Sequence, residues 1–328
     1  MALLLSRKDV QALLTMPACM EIVENAFRQH AAGNANMPQR AVIKVEQHNG
    51  VYLAMPAYIG GDLDALGLKI VTVYGDNPKK HGVPTIFGTL VLCDPTTGQA
   101  KAIMDAGYLT AVRTGAASGV ATKYLAREDA SVCTIFGAGG QAQAQLEAVH
   151  LARPLSRATV LDLNEDAAAS FAASLTEKLS VEVTVGSDTE QAVREADIIV
   201  TATNAPTPLF DGDWIKEGTH INNIGSHSPG ARELDTRTVV RSKYVADLKE
   251  ANLAEAGDLL IPMNEGAVTE DHIYANLGDI VSGAKPGREN VDEITLFKSC
   301  GLAIQDIASA VAVYQAAVAQ GVGQEFEF

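Results

Sequence analysis

The stretch Ser131–Gln145, SVCTIFGAGGQAQAQ, decides the fold of this chain. It begins with a short apolar run rich in β-formers, which is the pattern of a buried parallel strand. Gly137–Ala142 then matches the G-x-G-x-x-G/A fingerprint and leads into a sequence typical of a helix. The first glycine makes the tight turn, the second lets the backbone approach a pyrophosphate, and the small third residue permits close packing. The stretch therefore predicts a strand–turn–helix unit with a phosphate-binding helix N-terminus.

An acidic residue follows the fingerprint at the spacing of a dinucleotide site. A strand predicted over 158–161 leads into Asp162, roughly 20 residues on, where such folds place the acid that binds a ribose 2′-hydroxyl. A plain glycine-rich turn in an α/β sheet is the alternative. We predict a dinucleotide site that prefers NADH to NADPH, because Asp162 would repel a 2′-phosphate and Leu163-Asn164 supply no arginine to hold one.

Composition and charge restrict the class of protein. The chain has 328 residues, 47% of them apolar, and a formal net charge of −15. This acidity argues against binding to nucleic acids or anionic membranes, and no segment reaches the length of a membrane span. The cysteines are far apart and lack metal-binding spacing, which predicts free thiols in a reducing cytoplasm and no metal site; they are Cys19, Cys93, Cys133 and Cys300.

The first third of the chain predicts an α+β unit. Residues 6–33 carry helix signals. Residues 40–55 alternate around Asn49-Gly50, which predicts a β-hairpin with an Asn-Gly turn. Further strands are predicted over 66–74 and 84–94. Antiparallel strands with flanking helices fit an α+β architecture.

The remainder predicts a doubly wound Rossmann domain. A helix of small residues over 109–124 leads into strands that alternate with helices. These strands are predicted at 132–136, 158–161, 182–185, 197–203, 220–224 and 244–247. A last apolar helix over 301–320 returns to the first domain. The expected division is therefore a substrate-binding and dimerisation domain of residues 1–115 with 305–328, and an NAD-binding domain of residues 116–304.

Three basic residues stand in apolar or glycine-rich surroundings. Arg40 precedes an alternating segment, Lys69 lies within the apolar run 66–71, and Arg113 is among small residues of a predicted helix. Singly, each would be a surface charge or part of a structural ion pair. Together they fit a small anionic ligand, because guanidinium groups fork onto a carboxylate and a lysine in an apolar pocket can titrate near neutrality.

The chain resembles the ornithine cyclodeaminase/μ-crystallin family, which includes archaeal-type alanine dehydrogenases and ketimine reductases. The likeness extends essentially from end to end, and motifs in this order are more specific than the glycine fingerprint alone. They are Met37–Arg40, Met55-Pro56, Gly67–Lys69, Asp105, Leu109–Thr114, Gly137–Ala142, Glu217–Gly225, Pro229–Asp235 and Ile294–Asp306.

The resemblance implies a homodimer whose subunits each have a substrate-binding and dimerisation domain and an NAD(P) domain. The family's carboxylate-binding and catalytic cations fall on Arg40, Lys69 and Arg113. Its cofactor contacts fall on Thr85, Gly137, Gly139, Gly140, Gln141, Ala142, Asp162, Thr203, Asn222, Asn223, Ile224 and Ser299. We assign Asp235, Asp247 and Asp306 to structural roles.

Two positions depart from the cyclodeaminases of the family. Where these carry an acidic residue just before the Met-Pro pair, the chain has Leu53, and where they carry an aspartate after the glycine of the fifth strand, it has His227. Cyclodeamination needs carboxylates to manage a δ-amino group, whereas reduction of a C=N bond needs a carboxylate clamp, a proton donor and the cofactor. We therefore predict reversible, NADH-dependent reduction of a small α-imino acid to an L-amino acid.

The substrate and the role of His227 stay open at this stage. Alanine dehydrogenase and cyclic ketimine (pyrroline- or piperideine-2-carboxylate) reductase are the favoured forms, with iminosuccinate a candidate if a protonated His227 faces a second carboxylate. The alternatives are an NAD-dependent ornithine cyclodeaminase, which would show no net NADH consumption, and a binding protein, which would not need the three cations. His227 either contacts substrate or is a loop histidine bonded to backbone.

In the expected mechanism the three cations divide the work between binding and proton transfer. Arg40 and Arg113 bind the α-carboxylate and so position the carbon that is reduced. The two guanidinium groups lower the pKa of Lys69, which then donates a proton to the imine or polarises it.

Overall fold

The computed structural model describes residues 1–327 and divides into two compact units. The first, unit 1, comprises Met1–Arg113 and Leu302–Phe328, and the second, unit 2, is the continuous segment Thr114–Gly301. The substrate and nucleotide roles expected of the two domains stay predictions. Over residues 1–327, none of the helices combines the length and the apolar character that crossing a membrane requires.

Strands and helices are distributed along the whole of the described chain, residues 1–327. Up to the fingerprint it forms β1 (Ala2–Leu5), α1 (Arg7–Leu13), α2 (Met16–Ala31), β2 (Ala35–Asn36), β3 (Ala41–Val45), β4 (Gly50–Ile59), β5 (Ala65–Tyr74), α3 (Asn77–Lys80), β6 (Ile86–Cys93), β7 (Ala100–Asp105) and α4 (Gly107–Leu125). Then follow β8 (Val132–Phe136), α5 (Gly140–Ala152), β9 (Arg157–Leu161), α6 (Glu165–Leu179), β10 (Glu182–Val185), α7 (Thr189–Glu195), β11 (Ile198–Thr201), β12 (His220–Asn223), α8 (Thr236–Arg241), β13 (Ser242–Ala246), α9 (Lys249–Glu255), α10 (Gly257–Asn264), β14 (Ile273–Asn276), α11 (Leu277–Val281), β15 (Ile294–Lys298), α12 (Ala303–Gln320) and β16 (Gln324–Phe326).

Unit 1 is built on a mixed sheet covered by the last long helix. The strand order is β16-β1-β7-β6-β5-β4-β2, with β3 paired to β4, and only the β1–β7 pair is parallel. Along β5 the residues from Ala65 to Val71 alternate between buried and half-buried, so one face of the strand is turned to the core. A Cβ on Gly67 would lie 2.7 Å from Ile307 Cδ1, so this glycine lets α12 approach the sheet.

The predicted hairpin between β3 and β4 forms, but its turn was predicted wrongly. The register pairs Val45 with Gly50, so the loop is the whole segment 46–49, a short 3-10 turn that ends at Asn49 in the left-handed region. Gly50 belongs to the strand, where a Cβ would lie 2.4 Å from the ring of Tyr74. The Asn-Gly pair signals the hairpin, but ring packing rather than turn geometry accounts for the glycine.

Unit 2 confirms the predicted doubly wound parallel sheet. Its strand order is β10-β9-β8-β11-β12-β15-β13-β14, and every neighbouring pair is parallel. Buried apolar clusters contain residues from alternating positions of the strands, so both faces are covered. The strand order runs outward from β8 through β9 to β10 and then resumes on the other side of β8 with β11. Folds of this kind form their ligand crevice at such a switch point.

Candidate active site

Lys69 lies in the middle of β5 and is almost completely buried, with 1% exposure. The sheet register places it between Met55 of β4 and Leu90 of β6. Its Nζ lies 2.8 Å from Oδ2 of Asp306, which is fully buried in the first turn of α12. An unpaired charge at such a position would be very costly, so the ion pair is what allows a lysine in this strand.

Arg113 contacts the same carboxylate from α4. Its Nε donates to Oδ1 of Asp306 at 2.8 Å, and its Nη1 donates to Oε1 of Gln305 at 2.6 Å. Asp306 therefore holds two cations, one on each carboxylate oxygen. These contacts engage two of the three guanidinium nitrogens and do not use Nη2.

The pKa of Lys69 is lowered from its ordinary value of 10.5 to about 7. Burial is the largest cause, because it penalises the charged amine, and the Arg113 guanidinium adds to it. Asp306 opposes both by favouring the ammonium form, and Arg40 lowers the pKa further. Both causes were expected from the sequence, an apolar pocket and two guanidinium groups, and burial is the larger of the two.

The register of the sheet relates Arg40 and Leu53 to Lys69 through β4. Arg40 immediately precedes β3, and continuing the β3–β4 register by one residue places it across from Met55, the partner of Lys69. Leu53 lies two residues before Met55, so it projects from the same face of the sheet as Lys69. This face therefore offers cations and an apolar side chain, without the acidic residue of the cyclodeaminases.

The glycine-rich turn of unit 2 has the form that a dinucleotide needs. Gly137 has φ of 100°, and a Cβ there would lie 2.6 Å from the carbonyl oxygen of Ala202. By contrast, a Cβ on Gly139 or Gly140 would meet no atom within 4 Å, so the backbone at the start of α5 is open to a ligand. Asp162 Oδ2 accepts a hydrogen bond of 2.7 Å from the Ala138 amide, which places the acid beside the turn. The residues present fit a dinucleotide.

The other predicted cofactor residues lie mostly at the carboxyl ends of the unit 2 strands. Thr203 follows β11, Ile224 follows β12 and Ser299 follows β15, whereas Thr85 belongs to unit 1. Four of these other cofactor residues have side chains that hydrogen-bond within unit 2: Thr203, Asn222, Asn223 and Ser299. Asn222 contacts His220 and Thr122, and the Ser299 hydroxyl donates to Asp247. The predicted set also contains Gln141 and Ala142. The roles of these residues stay predictions.

His227 is exposed in the loop after β12. Its Nδ1 lies 3.1 Å from the carbonyl oxygen of Gly225, so Nδ1 is the donor in this contact. This contact is the backbone-bonded arrangement that the sequence left as the alternative to a substrate contact.

Three carboxylates assigned to structure differ in what they contact. Asp235 caps α8 by accepting from the Thr238 amide, and Asp247 accepts from the Cys300 amide. Asp306 instead contacts both buried cations, Lys69 and Arg113, and the sequence did not reveal this pairing. Gln305 and Glu233 were missed as well, although both lie inside the motifs that carry the family resemblance.

Comparison with known protein families identifies the ornithine cyclodeaminase/mu-crystallin family. The model of this family matches residues 1–321, so the chain belongs to it and the predicted resemblance is confirmed.

The chain is similar over its whole length to several characterised members. It is 41% identical over 327 residues to the Δ1-pyrroline-2-carboxylate reductase of Bacillus cereus, covering 99% of this chain and 100% of that protein. The structure of Thermococcus litoralis Δ1-pyrroline-2-carboxylate reductase in complex with NADH and L-proline has a TM-score of 0.96 and 48% identity, covering 99% of this chain and 100% of that one. An archaeal alanine dehydrogenase dimer with bound NAD has a TM-score of 0.94 and 39% identity, covering 100% and 99%.

Proposed function

We propose that this protein is an NADH-dependent reductase that converts Δ1-pyrroline-2-carboxylate to L-proline. The observation that carries the proposal is the buried cluster of Lys69, Arg113 and Asp306, which combines an amine of pKa about 7 with a guanidinium. Similarity to reductases of this substrate over the whole chain supports the choice of imine. Alanine dehydrogenase is the second candidate, because one such enzyme is similar over its full length.

The substrate is held by its carboxylate. In this proposal the Arg113 Nη2 and the Arg40 guanidinium bind the carboxylate oxygens, since Nε and Nη1 of Arg113 already contact Asp306 and Gln305. Leu53 offers an apolar surface to the ring carbons, which carry no charge. A δ-amino group would be unpaired there, and this disfavours ornithine.

Lys69 supplies the proton. Reduction of the C=N bond adds one hydrogen with its electron pair to carbon and one proton to nitrogen. The ammonium form of Lys69 gives its proton to the imine nitrogen; Asp306 holds the amine in place, and Arg113 in turn holds Asp306. With a pKa of about 7, Lys69 can lose and regain this proton near neutral pH, so the step is reversible.

Residues of unit 2 bind the cofactor. The open backbone at Gly139 and Gly140 and the N-terminus of α5 receive the pyrophosphate, and Asp162 binds the adenosine ribose. When bound, NADH supplies the hydrogen and the electron pair that the imine carbon gains.

We also propose that the protein is a cytoplasmic homodimer. The sheet of unit 1 exposes pairs of adjacent apolar residues, Val42 and Ile43 in β3 and Ile86 and Phe87 in β6, each between 49% and 57% exposed. Adjacent strand residues point to opposite faces, so both faces at these positions are apolar. None of the four cysteines, all within residues 1–327, forms a disulfide bond, and this supports a reducing compartment.

An NADH-oxidation screen tests the reaction. The purified protein is given NADH with pyrroline-2-carboxylate, piperideine-2-carboxylate, pyruvate plus ammonia, or iminosuccinate. We expect stoichiometric NADH consumption and the highest kcat/KM with pyrroline-2-carboxylate. A higher kcat/KM with pyruvate plus ammonia would make the protein an alanine dehydrogenase instead.

A second assay separates the reductase from a lyase. Ornithine with catalytic NAD should give little or no proline and ammonia. Robust ammonia release without net NADH formation would overturn the reductase assignment. No NADH consumption with any imine would favour a binding protein.

A further inference from the structure

Glu233 is a fully buried carboxylate that accepts five hydrogen bonds at the carboxyl ends of β11 and β12. Its Oε1 accepts from the amide and the hydroxyl of Thr203, both at 2.7 Å. Its Oε2 accepts from the Thr201 hydroxyl at 2.9 Å, the Asn223 side-chain amide at 3.0 Å and the Gly225 amide at 2.8 Å. One side chain thus joins the segments that follow two adjacent strands.

The two segments touch through their backbones at this point. A Cβ on Gly225 would lie 2.1 Å from the carbonyl oxygen of Thr203 and 2.5 Å from Oε1 of Glu233. No other residue type fits such an approach. The carboxylate therefore lies where the two segments are closest; it accepts from the Thr203 amide and shares the Gly225 amide with the Thr201 carbonyl oxygen.

Glu233 also fixes the orientation of the Asn223 side chain. The Asn223 Nδ2 donates to Thr201 Oγ1 and to Glu233 Oε2. If the Asn223 side-chain amide were flipped, its oxygen would face the Glu233 carboxylate, and two acceptors would then face each other. The Asn223 Oδ1 is buried and has no hydrogen-bond partner within residues 1–327. An acceptor that is buried and unpaired in the protein alone is suited to a donor from a ligand.

The buried Lys298 offsets part of the negative charge of the two buried carboxylates, Glu233 and Asp258. Lys298 at the end of β15 donates to the Ser226 carbonyl oxygen and lies 2.9 Å from Oδ2 of Asp258. Asp258 Oδ1 in turn accepts from the Glu233 and Leu234 amides. The loop between Gly225 and Glu233, which carries His227, is thus anchored at both ends.

We propose that Glu233 is a positioning residue for NADH: it sets the spacing of the β11 and β12 ends and aims the Asn223 amide oxygen at the cofactor. This inference rests on the proposed function, because it takes NADH as the cofactor and uses Thr203 and Asn223, two of the residues that the family resemblance assigns to cofactor binding. Glu233 acts through these residues and does not itself touch the cofactor.

The test compares Glu233→Gln with Asp197→Asn. The glutamine has the same size, but its amide nitrogen would face either the two Thr203 donors or the three donors at Oε2. Asp197 is the matched control, since it accepts from the Ser131 and Val132 amides at the opposite, amino-terminal edge of the same sheet. The readouts are the NADH dissociation constant from fluorescence titration of the intact protein, the melting temperature, and KM for NADH against kcat.

We expect both variants to melt at lower temperature but only Glu233→Gln to raise the NADH dissociation constant, by about tenfold or more. Its KM for NADH should rise more than its kcat falls. An unchanged NADH affinity in Glu233→Gln, or an equal loss in Asp197→Asn, would overturn the inference.

Other outcomes separate this inference from the proposed function. A wild-type protein that binds NADH but reduces none of the imines would contradict the substrate, while the affinity comparison still decides the role of Glu233. A wild-type protein that does not bind NADH would overturn both. If Glu233→Gln does not fold, Glu233→Asp takes its place, because it keeps the charge but shortens the reach, and it should weaken NADH binding in the same sense.

Discussion

Asp306 contacts one buried cation with each of its oxygens, and this shapes what either cation can do. Lys69 is held at 2.8 Å from one oxygen and Arg113 at 2.8 Å from the other. A buried carboxylate between two cations is stabilised by both, and removing one partner leaves the other paired. The lysine is thereby kept in the pocket in either protonation state.

The pH dependence of turnover should follow Lys69. The reduction needs its ammonium form, so kcat/KM for pyrroline-2-carboxylate should fall as pH rises above the pKa of about 7. Oxidation of L-proline needs the neutral amine and should rise through the same pH. Each limb should approach a tenfold change per pH unit. Rate profiles in both directions check this, and limbs of the same sign would contradict it.

Lys69→Met provides the control for these profiles. The methionine fills similar space without a titratable group. It should lose turnover at every pH while NADH binding to unit 2 is preserved.

Two substitutions of Arg113 should separate its binding role from its structural one. Arg113→Ala removes one of the two buried partners of Asp306 and should lower the free energy of unfolding by roughly 1.5–3 kcal/mol, because Lys69 still pairs the carboxylate. This loss follows from the two buried contacts of the Arg113 side chain, to Asp306 and to Gln305. Arg113→Lys keeps a charge beside Asp306 but loses the fork that binds a carboxylate.

We therefore expect Arg113→Lys to be the more stable variant and yet to lose about 100-fold or more in kcat/KM. Urea unfolding and steady-state kinetics measure the two effects. Near-normal kcat/KM in Arg113→Lys would show that the substrate carboxylate is bound elsewhere.

At the scale of elements, the β8–turn–α5 unit allows a matched comparison of two glycines. Gly137→Ala should destabilise the protein by about 1–2 kcal/mol or more, because alanine disfavours φ of 100° and its Cβ would meet the Ala202 carbonyl. Gly139→Ala has φ of −78° and open space, so its stability should be unchanged. Its added methyl group would still obstruct the pyrophosphate and weaken NADH binding. Equal melting temperatures for the two variants would disprove this account.

The end of β9 should determine the choice between NADH and NADPH. Asp162 lies beside the turn through its bond to Ala138 and would repel a 2′-phosphate. The wild type should have the higher kcat/KM with NADH, and Asp162→Ser should reduce the NADH/NADPH ratio by about tenfold. Asp166→Asn removes an exposed charge from the first turn of α6 and should leave the ratio unchanged. A wild type that prefers NADPH would refute the role of Asp162.

Local patterns predicted six of the eight strands of unit 2, because a strand and its following helix are short-range features, but they missed β14 and β15. The fingerprint, its strand and the spacing to Asp162 all follow from neighbouring residues. Contacts between distant segments were not accessible in this way. Arg113 and Asp306 are 193 positions apart, and only the fold brings Arg113 of α4 next to the Asp306 carboxylate of α12. Glu233 escaped notice for the same reason, since its acceptor role depends on the ends of β11 and β12.

At the scale of the whole molecule, the exposed strands of unit 1 should mediate a dimer. Ile43→Asp and Phe87→Asp each place a charge on an apolar surface and should shift the protein toward monomer, because burying an unpaired charge in an interface is costly. Light scattering after size-exclusion chromatography gives the mass. Val185→Asp alters an equally exposed valine of β10 in unit 2 and should remain dimeric. A monomeric wild type would contradict the proposed assembly.

The interrupted sequence of unit 1 has a consequence for synthesis on the ribosome. Unit 2 is continuous and can fold as soon as it emerges, whereas unit 1 needs α12, which emerges after all of unit 2. Until then the nascent chain contains Lys69 and Arg113 without the carboxylate that neutralises them. We expect the amino-terminal segment to remain a chaperone client throughout elongation, and the substrate pocket to be the last part of the enzyme to mature.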